Sequence, residues 1–208
     1  MSGPLTIAVS KGRTLTALAK LLSRAGVEVQ SLLADDRRLV RQSDDGRFAF
    51  LMLKPDDVPT YVEYGAADLG VSGRDTLLER GYDLYQPLDL GIGRCRMVVA
   101  GPRGQAAPEL PRVATKYPRI AADHFARQGV QAEVIYVGGS VELAPLVGLS
   151  DLIVDLVETG STLQQNDLEE RAVICEVTSL LVANRAAFKL RHAEVSDLLA
   201  RLTAAVRA

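Results

Sequence analysis

Short apolar runs alternate with helical patterns from near the start of the chain to its end. Residues 5–9 (LTIAV) are continuously apolar and are closed by Ser10, Lys11, Gly12 and Arg13, as expected of a buried strand and its exit loop. Leu15, Leu18, Ala19, Leu22 and Ala25 then recur at helical spacing, with Gly26 as the stop. The pattern predicts strands at 48–53 and 69–71. The first leads into a helix start at Asp56, Asp57, Val58 and Pro59, the second into a helix over 76–80 capped by Asp75. After Gly91 the alternation begins again, with strands at 96–100, 112–115, 134–137 and 152–155. Residues 101–111 read as a Pro/Gly-rich loop, and helices are predicted after Pro118 up to Gly129 and over 140–147. Residues 173–183 form one β-rich segment able to return the chain to its first half. Residues 195–206 form an amphipathic helix with Val195, Leu198, Leu199 and Leu202 on one face. This alternation predicts an α/β fold.

An internal echo divides the chain. Gly65-Ala66-Ala67-Asp68-Leu69-Gly70-Val71 resembles Gly148-Leu149-Ser150-Asp151-Leu152-Ile153-Val154: a helix ends at a small residue, an aspartate turns the chain, and an apolar strand begins. Helix-to-strand turns often share this look, but the echo agrees with the element count and predicts two α/β lobes with a ligand cleft at the strand ends. Lobe I is expected to hold residues 1–92 and 179–208, lobe II residues 93–178.

Composition narrows the function classes. The 208 residues suffice for one larger domain or two small lobes. With 24 basic against 26 acidic side chains the net charge is −2, lacking the basic excess of a nucleic-acid binder. Trp is absent and aromatics are 5%, too few for a base-stacking platform. No stretch reaches the roughly 20 apolar residues of a membrane span. The first residues carry no basic leader, so a cytoplasmic protein is expected. Cys95 and Cys175 lie far apart without metal-ligand spacing and read as two reduced thiols, and no protein metal site is expected. His124 and His192 are isolated from any acid or nucleophile pattern, which removes support for a triad or metal hydrolase.

The richest segment for chemistry is Asp155-Leu156-Val157-Glu158-Thr159-Gly160-Ser161-Thr162-Leu163. An apolar strand carrying a carboxylate runs into a turn of Thr, Gly, Ser and Thr ahead of a helical pattern. Successive N–H groups and hydroxyls in such a turn form an anion cradle, and Gly160 allows close approach. A carboxylate repels phosphate, so Asp155 is suited to hydroxyl donors, and a sugar phosphate supplies both partners. An ordinary capped helix start is the alternative for the same residues, and the phosphate reading is the favoured one. Lys11 and Arg13 stand just past a strand, where polyphosphate oxygens are well served by a point charge and a bidentate guanidinium. Arg37, Arg38 and Lys54 share that reading with the alternative of simple solvation, and Arg94 and Arg96 could face either a cleft or the surface. Tyr117, fixed by Pro118, could stack on a base or pack in the core. Glu142 stands early in a helix, where acids often serve as caps.

Taken together, Ser10-Lys11-Gly12-Arg13, Asp57-Val58-Pro59-Thr60-Tyr61-Val62-Glu63, Ala67-Asp68-Leu69-Gly70-Val71, Cys95-Arg96, Ala114-Thr115-Lys116-Tyr117-Pro118, the run from Glu142 to Leu149, and the 155–163 loop resemble the ATP phosphoribosyltransferase family over nearly the whole chain. The resemblance implies a two-lobed fold like type II periplasmic binding proteins, with mixed sheets and a cleft. It further implies transfer of the phosphoribosyl group of 5-phosphoribosyl 1-pyrophosphate to N1 of ATP, in histidine biosynthesis, with substrate-bound magnesium. The chain's extent resembles the short form, which works with a regulatory subunit similar to histidyl-tRNA synthetase, as a homodimer within a hetero-oligomer. By the same resemblance Glu158, Thr159, Gly160, Ser161, Thr162 and Leu163 cradle the ribose 5-phosphate, and Asp155, helped by Glu142, holds ribose hydroxyls. Arg13, Arg37 and Lys11 face the pyrophosphate and triphosphate. Lys54 and Arg74 contact the nucleotide, and Tyr117 lies against adenine. The family's usual residue at Arg74 is lysine. Two alternatives remain at this point. A type I phosphoribosyltransferase acts on free bases but normally carries two adjacent acids before the turn, where this chain has Asp155-Leu156. A solute-binding protein shares the lobes but needs export.

Overall fold

The computed structural model describes residues 3–208, apart from the side chain of Arg13. In chain order the first half contains β1 (Leu5–Ser10), α1 (Arg13–Arg24), β2 (Val40–Gln42), β3 (Phe48–Leu53), α2 (Val58–Glu63), β4 (Leu69–Gly73), α3 (Arg74–Arg80) and β5 (Tyr85–Asp89). There follow β6 (Cys95–Pro102), β7 (Arg112–Thr115), α4 (Pro118–Arg127), β8 (Glu133–Tyr136), α5 (Leu143–Leu146), β9 (Leu152–Val157), α6 (Ser161–Gln165) and β10 (Leu168–Val177). The chain ends with β11 (Ser179–Ala183), α7 (Arg185–Leu190) and α8 (His192–Arg207). The fold is mixed α/β with two mixed sheets, ordered β2-β3-β1-β4-β11-β5 and β10-β6-β9-β7-β8. Two compact units result: residues 1–77, 81–93 and 178–208 in one, 78–80 and 94–177 in the other.

In the first unit β3, β1 and β4 are parallel, and β11 joins β4 antiparallel. One face of this sheet buries Leu5, Ile7, Val9 and Phe50 with Leu18, Leu22, Leu198 and Leu202 of α1 and α8. The other buries Ala8 and Val182 with Val58, Val62 and Leu77 of α2 and α3. Alternate strand residues thus meet helices on both sides, which is why the strands read as unbroken apolar runs. α2 lies so close to β4 that a Cβ on Gly70 would stand 2.6 Å from Val62 Cγ2. In the second unit β8, β7 and β9 are parallel, with β6 antiparallel to β9 and β10 antiparallel to β6.

The internal echo is a structural repeat. Gly65 and Gly148 both take left-handed φ, at 75° and 73°. Just beyond each, an aspartate does the same work. Asp68 Oδ2 accepts the Thr6 N–H of β1 at 2.8 Å and pairs with Arg191 at 2.8 Å. Asp151 Oδ2 accepts the Arg112 N–H of β7 at 2.8 Å, and its Oδ1 pairs with the same residue's guanidinium at 3.2 Å. β4 then pairs parallel with β1 as β9 does with β7. The parallel cores β3-β1-β4 and β8-β7-β9 share one strand order.

Several expectations need adjusting. Residues 173–183 do return the chain to the first sheet, but as two strands with a break at Thr178, β10 in the second sheet and β11 in the first. The helix expected over 140–147 is α5 alone, four residues long. Asp75 is not the cap of α3. Gly73 holds that position, and Asp75 lies buried in the first turn. Both cysteines are free. Among the described residues no helix is long and apolar enough to cross a membrane.

Candidate active site

The carboxyl ends of the parallel strands gather the chemistry of each unit, as open α/β sheets generally do. In the first unit Lys11 follows β1, Lys54 follows β3 and Arg74 opens α3 directly after β4, all exposed. Ser10 and Leu53, the residues before the two lysines, are register partners. Arg13 begins α1, and its side chain lies outside the described residues. Arg37 is exposed on the irregular segment between α1 and β2. Among the described residues Lys11, Arg37, Lys54 and Arg74 form no salt bridge, whereas Arg38 is tied to Asp36 at 2.6 Å. Four cations therefore retain charge for an anionic ligand.

The Arg37 segment is shaped by a residue the sequence gave no reason to choose. Arg41, on β2, is 5% exposed. Its Nη1 donates to the carbonyls of Leu32 at 2.6 Å and Ser31 at 3.3 Å, and its Nη2 to the carbonyl and Oδ1 of Asp36, both at 3.0 Å. A stretch without regular hydrogen bonding thus finds its acceptors' partners on one guanidinium.

In the second unit β9 carries Asp155 and passes into the 158–162 turn. Glu158, Thr159, Ser161 and Thr162 are exposed, and the Thr159 and Ser161 hydroxyls are 3.0 Å apart. The Ser161 N–H reaches Thr159 Oγ1 only at 3.4 Å, and no side chain caps α6. Hydroxyls and N–H groups are thus left facing outward. Leu163 is 4% exposed and packs with Val98, Ile153, Val157 and Leu168, so its side chain anchors the turn and does not reach a ligand.

Gly160 has φ 82°, a region costly for any residue with a Cβ. Space is not the constraint, since a Cβ there would lie 3.5 Å from Glu170 Oε1 and 3.8 Å from Val157 Cγ1. Gly160→Val should therefore lose roughly 1–2 kcal/mol of stability and weaken any anion held by the turn about tenfold or more. Gly160→Asn, which tolerates this φ, should lose less of both. Urea denaturation and titration calorimetry check the pair. A second support was not foreseen: Arg96 Nε donates to Glu170 Oε2 at 2.9 Å while its Nη1 donates to the Glu158 carbonyl at 3.4 Å, joining β6, β10 and the turn.

Asp155 is partly buried, and desolvation raises its pKa to about 6. The nearby Glu142 charge pushes in the same direction, while Lys116 and the Leu156 N–H, donated to Asp155 Oδ1 at 2.8 Å, favour the carboxylate. The carboxylate is ionised at neutral pH but poorly hydrated, so polyol hydroxyls are welcome donors. Tyr117 requires a correction. It is 6% exposed, with its ring among Met97, Val99, Val113, Ile120 and Phe125, so no face is open to an adenine. The two histidines stay out of this region: His124 contacts the Gln128 amide and His192 the Ser196 hydroxyl.

The family model for HisG, ATP phosphoribosyltransferase, matches residues 54–204. This chain belongs to the ATP phosphoribosyltransferase family. A family relative from Sorangium cellulosum is 66% identical over 205 residues, covering 99% of this chain and 97% of its own. ATP phosphoribosyltransferase 2 of Geobacter sulfurreducens is 47% identical, covering 96% and 97%. Among solved structures, the ATP phosphoribosyl transferase (HisG:HisZ) complex from Thermotoga maritima matches with a TM-score of 0.85 at 36% identity, over 98% of both chains. The VFT2 domain of Bordetella pertussis BvgS matches with a TM-score of 0.59 at 16% identity, over 98% of this chain and 91% of that one, a likeness of fold alone.

Proposed function

We infer that this chain is a catalytic ATP phosphoribosyltransferase. It joins the phosphoribosyl group of 5-phosphoribosyl 1-pyrophosphate to N1 of ATP and releases pyrophosphate, the first step of histidine biosynthesis. Beyond family membership, the observation that carries the reading is the outward-facing 158–162 turn on the same strand exit as a partly buried carboxylate. Thr159, Gly160, Ser161 and Thr162, with the Glu158 main chain, cradle the 5-phosphate. Asp155, with Glu142 near it, accepts from the ribose hydroxyls. Adenine N1 already bears a lone pair, so no strong base is required and the absence of a histidine at the site is no obstacle. N1 forms a bond to the anomeric carbon as the bond to pyrophosphate breaks, with inversion. The electron pair leaves with pyrophosphate.

The demanding task is electrostatic: positive character grows on the ribose while negative charge collects on the departing group. Lys11, Arg13 and Arg37 are assigned to the pyrophosphate and triphosphate, with Lys54 and Arg74 on the nucleotide. Among the described residues no three His, Cys, Asp or Glu side chains gather to hold a metal. Magnesium is assigned to the polyphosphates of the substrates, where it adds charge neutralisation. The Thermotoga relative is a HisG:HisZ complex. We extend that arrangement here: a homodimer in the cytoplasm, of the short form, assembled with a regulatory subunit resembling histidyl-tRNA synthetase.

The test mixes the protein with ATP, phosphoribosyl pyrophosphate and magnesium, with and without such a subunit, and follows ultraviolet absorbance for the N1-ribosylated adduct together with pyrophosphate release. Both signals should rise together. Donor consumption with free purines or pyrimidines but not with ATP would overturn the assignment.

A further inference from the structure

The repeat supplies an internal control on which buried groups the fold itself needs. Aligning the units on Asp68 and Asp151 makes Leu69 equivalent to Leu152. Leu69 faces Ile7 on β1, and Leu152 faces Val113 on β7. Two residues further along each strand stand Val9 and Thr115, both 0% exposed. One unit fills this position with an isopropyl group, the other with a hydroxyl and a methyl of nearly the same shape. Burying a hydroxyl is unfavourable unless it is fully bonded, and the first unit shows that the strand does not require one.

In the second unit the hydroxyl is fully used. Thr115 Oγ1 donates to the Val154 carbonyl at 2.7 Å and accepts the Tyr117 N–H at 2.8 Å. The Val154 carbonyl belongs to the peptide that leads into Asp155. The Tyr117 N–H belongs to the turn that follows Lys116, whose charge favours the Asp155 carboxylate. One buried oxygen therefore ties the exits of β7 and β9 together between the two charged residues. Asp155 is itself a departure from the repeat, since its equivalent in the first unit is the buried Ser72.

We propose that Thr115 is a positioning residue for the phosphoribosyl donor, its buried hydroxyl fixing the peptide ahead of Asp155 relative to the Lys116 turn. The proposal rests on Asp155 as the ribose-binding carboxylate. With no exposed surface Thr115 cannot touch substrate, so its effect travels through Asp155.

The experiment compares Thr115→Val, Thr115→Ser and Asp155→Asn in the assembled enzyme. It reads KM for each substrate, kcat, and the donor dissociation constant by calorimetry. Thr115→Val should raise the donor KM and dissociation constant about tenfold while the KM for ATP moves less than about twofold. Thr115→Ser, which keeps the hydroxyl, should restore most of the loss. A purely structural threonine would instead lower the folded fraction and leave the donor constants of the folded enzyme unchanged, and that result overturns the proposal. So does a serine variant as impaired as the valine one. If Thr115→Val fails to fold, Thr115→Ala against Thr115→Ser decides on the same constants. Should Asp155→Asn leave donor binding unaltered, the assignment of Asp155 falls, whereas weak binding by Asp155→Asn with normal binding by Thr115→Val sinks only the positioning role.

Discussion

Asp155→Asn is expected to raise the melting temperature at pH 8 while weakening phosphoribosyl pyrophosphate about tenfold or more. The two effects share one cause. Burial raises the Asp155 pKa to about 6, above the value of about 3.9 for an aspartate in an unfolded chain. A carboxyl raised in this way favours the native state below pH 4. That advantage disappears as pH rises through 6, beyond which the fold carries a poorly solvated charge. The asparagine removes this cost, worth about 1 to 3 kcal/mol at pH 8, or roughly 2–10 °C for a chain of this size. Its amide oxygen still accepts the Leu156 N–H. At pH 4.5 aspartate is already mostly neutral in the native protein but mostly ionised in the unfolded chain, and the gap between the two proteins should shrink to about a third of its size at pH 8. What asparagine lacks is the anionic acceptor for ribose hydroxyls, so the donor is lost even as the scaffold gains. The wild-type donor affinity should fall for the same reason as pH drops below 6. Thermal melts at pH 4.5 and 8 with donor titrations across that range check both parts. A lower melting temperature for the variant at pH 8 would contradict the account.

Arg41→Met is expected to give the largest loss of stability, about 3 kcal/mol or more. The methionine fills much of the volume but donates nothing, so the carbonyls of Ser31, Leu32 and Asp36 lose their shared partner. Leu32 is 0% exposed, and its carbonyl receives a 2.6 Å bond from Nη1, so water replaces that partner only if the segment opens. Arg41→Lys keeps the charge but has a single ammonium where a planar fork spans three carbonyls, and it should recover less than half of the loss. Urea unfolding measures the cost. Amide exchange across residues 31–38 should accelerate most, and kcat should fall because Arg37 rides on this segment. An unchanged urea midpoint would show that the buried guanidinium is dispensable.

The unequal legibility of this protein has a physical basis. Strands buried on both faces, such as β1, β3, β6 and β9, are visible as apolar runs because their apolar side chains alternately meet helices on the two sides of the sheet. β2 (Val40–Gln42), with Val40 and Gln42 exposed on either side of the buried Arg41, and β5 (Tyr85–Asp89), partly or fully exposed and containing Pro87, are edge strands and carry no such pattern. α7 escaped notice, although Asn184 caps it by accepting the Ala186 and Ala187 N–H groups. The 158–162 turn was readable because its pattern is local: a carboxylate, a glycine at left-handed φ and hydroxyls within a few residues. The inward turn of the Tyr117 and Leu163 side chains is not legible locally, because the clusters that receive them are assembled from distant strands.

By itself, then, the sequence determined the alternation of strands and helices, the duplicated aspartate turn, the family and the hydroxyl-rich loop at 158–162, since each is written in residues close along the chain. Only the tertiary structure decided that Arg41 shapes the Arg37 segment, that Arg96 and Glu170 brace the turn, and that Thr115 bonds Val154 across 39 residues. Local patterns of polarity report that a side chain is buried. They do not report which carbonyl, folded in from elsewhere, its hydrogen bond will find.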